Sequence, residues 1–178
     1  MKKLGIIVSL VFAFGTACQR ESSFPEVTNM PVEQNEEETA VRAGKLLGQM
    51  IFDSVAYTVQ PEEMLQPFIK EFDDGTVVDR AMIRKVQEGK NGKPGYYLVG
   101  IGQKSGVYRM MALELHVSGD NGLYVSPQSR KFVTSSEGCD FCLFTFTNNA
   151  IDGAECESND DGGSGCTYAT AEGNTFMQ

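Results

Sequence analysis

The sequence predicts an α+β fold in which an N-terminal amphipathic helix packs on an antiparallel β-meander and disulfide bonds cross-link the C-terminal segment. Three observations support this prediction. Residues 36–54 repeat apolar or small side chains every three or four positions, which indicates a helix that faces a core. Residues 76–126 alternate short apolar runs with Gly, Asn and Asp turns, which is typical of antiparallel strands. The last quarter of the chain contains four of its five cysteines.

The first element of the chain is an export signal at residues 1–17. Lys2 and Lys3 precede an uncharged, mostly apolar run, Leu4–Gly15. A positive start, an apolar stretch of about 7–15 residues and a small-residue cleavage site define a secretory signal peptide. The run is too short to cross a bilayer, because a membrane-spanning helix needs about 20 apolar residues. We therefore expect cleavage after Ala17.

The end of this signal, Gly15-Thr16-Ala17-Cys18, resembles the lipobox of bacterial lipoproteins. In that class the leader is cut before the cysteine, which receives diacylglycerol on its sulfur and an acyl chain on its amino group. Leucine usually stands where this chain has Gly15, and an ordinary signal peptidase would cut the same bond and leave a free thiol. Lipidation of Cys18 leaves four other cysteines, an even number that can pair. We therefore expect a lipid anchor at Cys18.

The resemblance implies a location in the cell envelope. In enteric lipoproteins, aspartate after the acylated cysteine favours the inner membrane, so Gln19 implies the outer membrane, facing either the periplasm or the exterior. The expected partners are the lipid bilayer, through acylated Cys18, and an envelope protein or an extracellular ligand. Loss of residues 1–17 removes two lysines and changes the formal charge from −9 to −11, with 13 Lys and Arg against 24 Asp and Glu. An acidic chain repels phosphates, so nucleic acid is excluded as a partner.

The mature chain divides into a lipidated tether, residues 18–38, and a single globular domain with a flexible C-terminal tail, residues 39–178. The tether has no apolar period and contains two prolines and a glutamate cluster, a composition typical of disorder. About 20 flexible residues span roughly 25 Å, which would hold the domain clear of lipid headgroups.

The predicted helix at residues 36–54 begins with three glutamates that complement the helix dipole. Gly44 and Gly48 each weaken it by about 1 kcal/mol. Its inner face would contain Ala40, Ala43, Leu47, Met50, Ile51 and Ser54.

The next segment, residues 55–75, has no clear period. Pro61 suits the first turn of a second, short helix, which Pro67 should end. Asp73-Asp74-Gly75 predicts a turn.

Four segments then have strand character: Thr76–Val86, for which a helix is the alternative, Tyr96–Ile101, Tyr108–Ser118 and Leu123–Ser126. In the third, one face would contain Met111, Leu113, Leu115 and Val117. His116 shares the other face with Ala112 and Glu114, and we interpret it as a partly exposed strand residue without a catalytic role.

The C-terminal cysteines predict structural disulfides, since pairing persists in an oxidising compartment, and each could stabilise the fold by about 2–4 kcal/mol. Phe141–Thr147 has a strand pattern, and the residues from Asn148 to Gly153 resemble a turn. A hairpin here would pair Cys142 with Cys156 and leave Cys139 for Cys166.

Two alternatives for these cysteines stay open. A metal site is the first, although one CxxC motif with two distant cysteines is a weaker signal than two CxxC motifs. Redox chemistry at Cys139 and Cys142 is the second, although Asp140 would raise the thiol pKa.

The functional prediction is a binding or structural module with no catalytic residue, cofactor or metal site. The sequence contains one histidine and no tryptophan, and it lacks Ser-His-Asp, HExxH, P-loop and GxGxxG motifs. The candidate aromatic binding set is Tyr96, Tyr97, Tyr108 and Tyr124. The alternatives are thiol–disulfide exchange through Cys139 and Cys142 and, by fold analogy alone, a small protease-inhibitor-like module.

Overall fold

The structure is a computed structural model. The predicted signal peptide, the acylation of Cys18 and the tether up to residue 37 lie outside the described residues and stay predictions. None of the described helices is long and apolar enough to span a membrane. The structure describes residues 38–41, 43–90, 92–157 and 165–178.

Eleven strands in three antiparallel sheets form most of the described part of the chain. The largest sheet has the strand order β11-β8-β5-β4-β3, a second has the order β2-β1-β7-β6, and β9 and β10 form a hairpin. The fold is therefore mostly β, and the α+β prediction is wrong. The strands are β1 Lys45–Ile51, β2 Ser54–Tyr57, β3 Val77–Val86, β4 Gly95–Lys104, β5 Val107–Glu114, β6 His116–Val117, β7 Gly122–Val125, β8 Lys131–Glu137, β9 Cys142–Thr147, β10 Ala150–Cys156 and β11 Gly165–Ala171.

The N-terminal amphipathic helix predicted over residues 36–54 is the main error. Residues 38–41 and 43 are helical, but the chain then enters β1, which pairs with β2 on one side and β7 on the other. A Cβ atom at Gly44 would lie 2.8 Å from the carbonyl oxygen of Ala40 and 2.9 Å from that of Val125. Pairing on both edges of β1 therefore outweighs a helical pattern that two glycines already weaken.

The helix predicted at Pro61 is present. It starts as a 3₁₀ helix, Pro61–Met64, and continues as the α-helix α1, Leu65–Phe72. Pro67 does not end it, because Pro67 lies in the first turn of α1, where a backbone N–H has no helical acceptor. Asp73 ends the helix in the left-handed conformation, with φ of 48°, as the predicted turn requires.

The five-stranded sheet separates two apolar cores, because successive side chains of a strand point to opposite faces. The residues expected on one face of β5, Met111 and Leu113, lie in the large core, and Ala112 lies in the small core. The large core consists of Leu47, Met64, Phe68, Phe72, Val78, Ala81, Ile83, Tyr96, Leu98, Met111, Leu113, Leu115, Leu123, Val125 and Phe176. The small core consists of Tyr97, Val99, Met110, Ala112, Phe132, Phe144 and Ile151.

Helix α1 and the second sheet cover the large core. Phe68 is fully buried, and its ring meets Phe176 edge to face with 4.9 Å between centroids. A Cβ atom at Gly100 would lie 2.6 Å from the Phe68 ring, so only glycine lets α1 approach β4 this closely.

The C-terminal residues are attached to this core by a buried carboxylate. Glu71 Oε1 accepts a hydrogen bond from Lys131 Nζ at 2.6 Å, and Glu71 Oε2 accepts from the N–H and the hydroxyl of Thr175, each at 2.7 Å. The Asn174 side-chain amide donates to the carbonyls of Ser126 and Ser129. These contacts order the chain after β11, where the sequence has almost no apolar pattern.

The β9–β10 hairpin covers the small core with Phe144 and Ile151. Its turn uses Asn148 and Asn149, both with positive φ, as two-residue hairpin turns require. The sequence predicted a longer turn, Asn148–Gly153, and no strand was predicted at β8 or β11. Both of these strands are rich in Ser and Thr, and they lie next to each other in the largest sheet.

The strand predicted at Tyr108–Ser118 changes sheet partway along. Strand β5 belongs to the largest sheet and β6 to the second. Between them, the Leu115 N–H donates to the carbonyl oxygen of Tyr96 at 2.9 Å. The two sheets separate at this point, and the separation leaves a cleft beside it.

Candidate functional site

One candidate site is the group of four cysteines at the open end of the β9–β10 hairpin. Among the described residues there is one disulfide bond, Cys142–Cys166, with 5.9 Å between the Cα atoms. This bond differs from the expected pairing of Cys142 with Cys156 and of Cys139 with Cys166. The expected register is present, since Cys142 and Cys156 lie opposite each other. However, β11, which was not predicted from the sequence, places Cys166 beside Cys142.

The other two sulfur atoms lie against this bond. Cys139 Sγ is 3.5 Å from Cys142 Sγ and 3.7 Å from Cys166 Sγ, and Cys156 Sγ is 3.9 Å from Cys166 Sγ. The sulfur atoms of Cys139, Cys142 and Cys166 lie close enough together to bind one metal ion. Such an ion would need the disulfide to be reduced, because thiolates are the metal ligands.

The electrostatics of Cys139 oppose redox exchange. A hydrogen bond with the Cys156 thiol raises the pKa of Cys139 above its ordinary value. Exchange requires the thiolate, and exchange cysteines have lowered pKa values. Cys142, the other half of the CxxC motif, is bonded to Cys166 and not to Cys139. The arrangement is therefore suited to structural cross-linking.

The second candidate site is the cleft where the two sheets separate, with a volume of about 970 Å³. The start of β4 contributes Gly95–Tyr97, and the junction between β5 and β6 contributes Glu114–Val117. Its other sides are lined by the hairpin turn at Asn148 and Asn149 and by Glu172.

The polar groups in the cleft form two hydrogen-bonded pairs, Arg130 with Glu114 and Tyr97 with Asn149, and the charges of the first pair act on Tyr97. Arg130 donates to Glu114 through two bonds, Nε to Oε2 at 2.7 Å and Nη2 to Oε1 at 3.2 Å. The pKa of Arg130 is raised, chiefly by this hydrogen bond and in a smaller part by the charge of Glu172. The Tyr97 hydroxyl donates to the carbonyl oxygen of Asn149 at 3.1 Å. Burial raises the pKa of Tyr97, and the Glu114 charge raises it further, so its phenol stays protonated at neutral pH.

The predicted aromatic set is divided in the structure. Tyr96 and Tyr97 line the cleft, whereas Tyr108 lies at the other end of β5 and contacts Phe141, with 5.5 Å between ring centroids. Tyr124 lies on β7, opposite His116 on β6.

His116, interpreted from the sequence as a partly exposed strand residue, is half-buried on β6 and also lines the cleft. No local sequence pattern marks Arg130, Glu114 or Glu172 as site residues, because strands distant in the chain bring them together.

Comparisons with protein-family models, curated proteins and solved structures found no match to this chain.

Proposed function

We propose that this chain is an exported, lipid-anchored protein of the outer membrane, attached through acylated Cys18, whose domain binds a small ligand in the cleft. The export signal, its lipobox-like end and the Cys142–Cys166 bond support the location, because disulfides persist in oxidising compartments. The observation that carries the binding role is the 970 Å³ cleft with its few connected polar groups, which is typical of ligand sites.

The composition of the cleft favours a neutral ligand rich in hydroxyl groups, such as a saccharide. Two basic residues, Lys93 and Arg130, offset two acidic residues, Glu114 and Glu172, in the lining, although the whole chain has a formal charge of −9. A charged ligand would give this balanced lining an uncompensated net charge, whereas a neutral ligand would not. The apolar part of the lining includes Tyr96, Leu115 and Val117, and it suits the C–H faces of a sugar ring.

The anchor is tested by the intact mass of the protein extracted from membranes. Diacylglycerol and an acyl chain on Cys18, with residues 1–17 absent, are the expected result. A mature protein with a free Cys18 thiol would refute the lipid anchor and leave the ligand proposal standing.

The ligand class is tested by titrating the isotope-labelled protein with N-acetylglucosamine at millimolar concentration and recording amide and arginine Nε–H signals by NMR. We expect the Arg130 Nε–H and the amides of Glu114–Val117 to shift in a saturable way, whereas the Nε–H of Arg84, exposed on β3, stays unchanged. Glucuronate, the acidic probe, should bind more weakly. Shifts for neither probe, or tighter binding of glucuronate, would sink the proposed ligand class.

A pair of matched variants sharpens this test. Glu172→Gln changes an exposed carboxylate of the cleft, and Glu137→Gln changes an exposed carboxylate at the opposite end of β8. We expect at least a threefold weaker affinity for N-acetylglucosamine from the first change and no change from the second. If the two variants lowered the affinity equally, the loss would arise from the overall charge of the protein and not from the cleft.

A further inference from the structure

The unbonded cysteines, Cys139 and Cys156, lie at the open end of the β9–β10 hairpin. Cys139 precedes β9 in the turn that follows β8, and Cys156 is the last residue of β10. Both sulfur atoms lie within 4 Å of Cys166 Sγ, at 3.7 Å and 3.9 Å. Both residues are half-buried.

From this placement we propose that Cys139 and Cys156 form a second disulfide bond beside Cys142–Cys166. Because Cys142 and Cys166 already share a bond, the other two cysteines have each other as the remaining partner of the group. Because both sulfur atoms already lie against Cys166 Sγ, rotation of the two side chains is the expected route to bonding distance.

The two bonds would have complementary roles. Cys142–Cys166 ties the start of β9 to β11, at the edge of the largest sheet. Cys139–Cys156 ties the end of β10 to the turn between β8 and β9. Both strands of the hairpin would then be fixed at their open end, whereas the closed end is held by hydrogen bonds from the Asn149 side chain to Lys93 and from the Asn148 N–H to Glu88.

The bond needs an oxidant, and a small disulfide such as oxidised glutathione is sufficient. The Cys139 thiolate attacks one glutathione sulfur, forms a mixed disulfide and releases the first glutathione thiolate. The Cys156 thiolate then attacks Cys139 Sγ and releases the second glutathione thiolate. The two cysteines lose two protons and two electrons, and one disulfide becomes two molecules of glutathione.

The experiment is bond mapping of the full chain after equilibration with oxidised and reduced glutathione and alkylation of remaining thiols under denaturing conditions. Cleavage before aspartate separates all four cysteines, since Asp140 lies between Cys139 and Cys142, and Asp160 lies between Cys156 and Cys166. We expect no alkylation at these cysteines and two linked peptide pairs, Cys139 with Cys156 and Cys142 with Cys166.

Three outcomes would overturn the proposal: alkylation of both Cys139 and Cys156, a different pairing, or one tightly bound zinc ion per chain in place of the bonds. The Cys139→Ser variant is the matched control and should give one alkylated thiol at Cys156 with Cys142 still linked to Cys166. A link from Cys156 to either of these residues in that variant would also contradict the assignment. None of these results depends on Cys18 or on the cleft.

Discussion

The two faces of the five-stranded sheet are held by different means. The large core is covered by α1 and the second sheet, and its buried side chains come from most of the chain, from Leu47 to Phe176. The small core has about half as many buried residues and is covered by a two-stranded hairpin. The disulfide bond lies at this second face, where it joins the hairpin to β11.

The difference shows where covalent cross-linking is needed. A hairpin of two strands is marginally stable by itself, and the apolar area that it buries against the small core is limited. A cross-link reduces the conformational entropy of the unfolded chain, so it can compensate for a small apolar contribution. The large core has a helix, a second sheet and the Glu71–Lys131 ion pair, and it has no cysteine among its described residues.

The largest effect is expected from truncating the centre of the large core. Phe68→Ala should lower the free energy of unfolding by about 4 kcal/mol, and Phe144→Ala in the small core by about 3 kcal/mol, because a buried phenylalanine leaves a cavity when it is shortened. Phe68 is 0% exposed and Phe144 is 8% exposed. Urea unfolding monitored by circular dichroism measures both values. Equal losses, or a greater loss for Phe144→Ala, would contradict the larger contribution of the large core to stability.

A smaller and more local effect is expected from removing the known bond. The double variant Cys142→Ser/Cys166→Ser lacks the covalent loop between these residues, which have a sequence separation of 24. Its free energy of unfolding should be lower by about 3 kcal/mol. Native-state hydrogen exchange should show faster exchange in β9 and β10, with α1 and β4 still protected. Equal acceleration in α1 would mean that the bond stabilises both faces alike.

The smallest effect is expected from a carboxylate on the hairpin. The hydroxyls of Thr147 and Thr145 donate to Asp152 and hold its pKa below the ordinary 3.8. Because the pKa of Asp152 is lower in the folded protein than in the unfolded chain, its carboxylate stabilises the fold at pH values above 3.8. This stabilisation is lost as the pH falls through the pKa of the folded state. Thr147→Val should therefore raise the pKa of Asp152 and lower the stability of the hairpin at neutral pH, so that less stability is lost on acidification than in the unmodified protein, as NMR titration of the carboxyl group and unfolding at neutral and acid pH would show.

Asp120 gives this experiment an internal control on the other side of the molecule. It lies in the turn between β6 and β7, and a hydrogen bond from Ser118 lowers its pKa. Its titration should be unchanged in Thr147→Val. A shift of both carboxyl groups would indicate a general change in the fold and would contradict the local explanation.

The sequence predicted the strands best where alternation and turn residues agreed. The strand predicted at Thr76–Val86 is present as β3, and the turn between β4 and β5 contains Ser105 and Gly106, both with positive φ. The helix at residues 36–54 failed because the apolar spacing of β1 also fits a helix, and only β2 and β7 provide the pairing that decides between them.

For the candidate sites, the sequence identified the residue types better than their partners. The prediction of disulfides among the four C-terminal cysteines is confirmed for one bond, Cys142–Cys166, and its pairing depended on β11, whose sequence has no apolar pattern. Tyr97 and His116 were singled out from the sequence, but Arg130 and Glu114, 16 residues apart, were not. Their contact requires β5 and β8 to be neighbours in the sheet.

By itself the sequence determined the local features: turns where Gly, Asn or Asp tolerates positive φ, alternation along β3 to β7, and a cysteine-rich C-terminal segment. These features depend on residues within a few positions of one another, so a short segment already contains the interactions that produce them. The tertiary structure alone decided the strand at β1, the transfer of the chain between sheets at Leu115, the cleft and the partner of Cys142. Each of these depends on hydrogen bonds or packing between segments far apart in the chain, which no local pattern encodes.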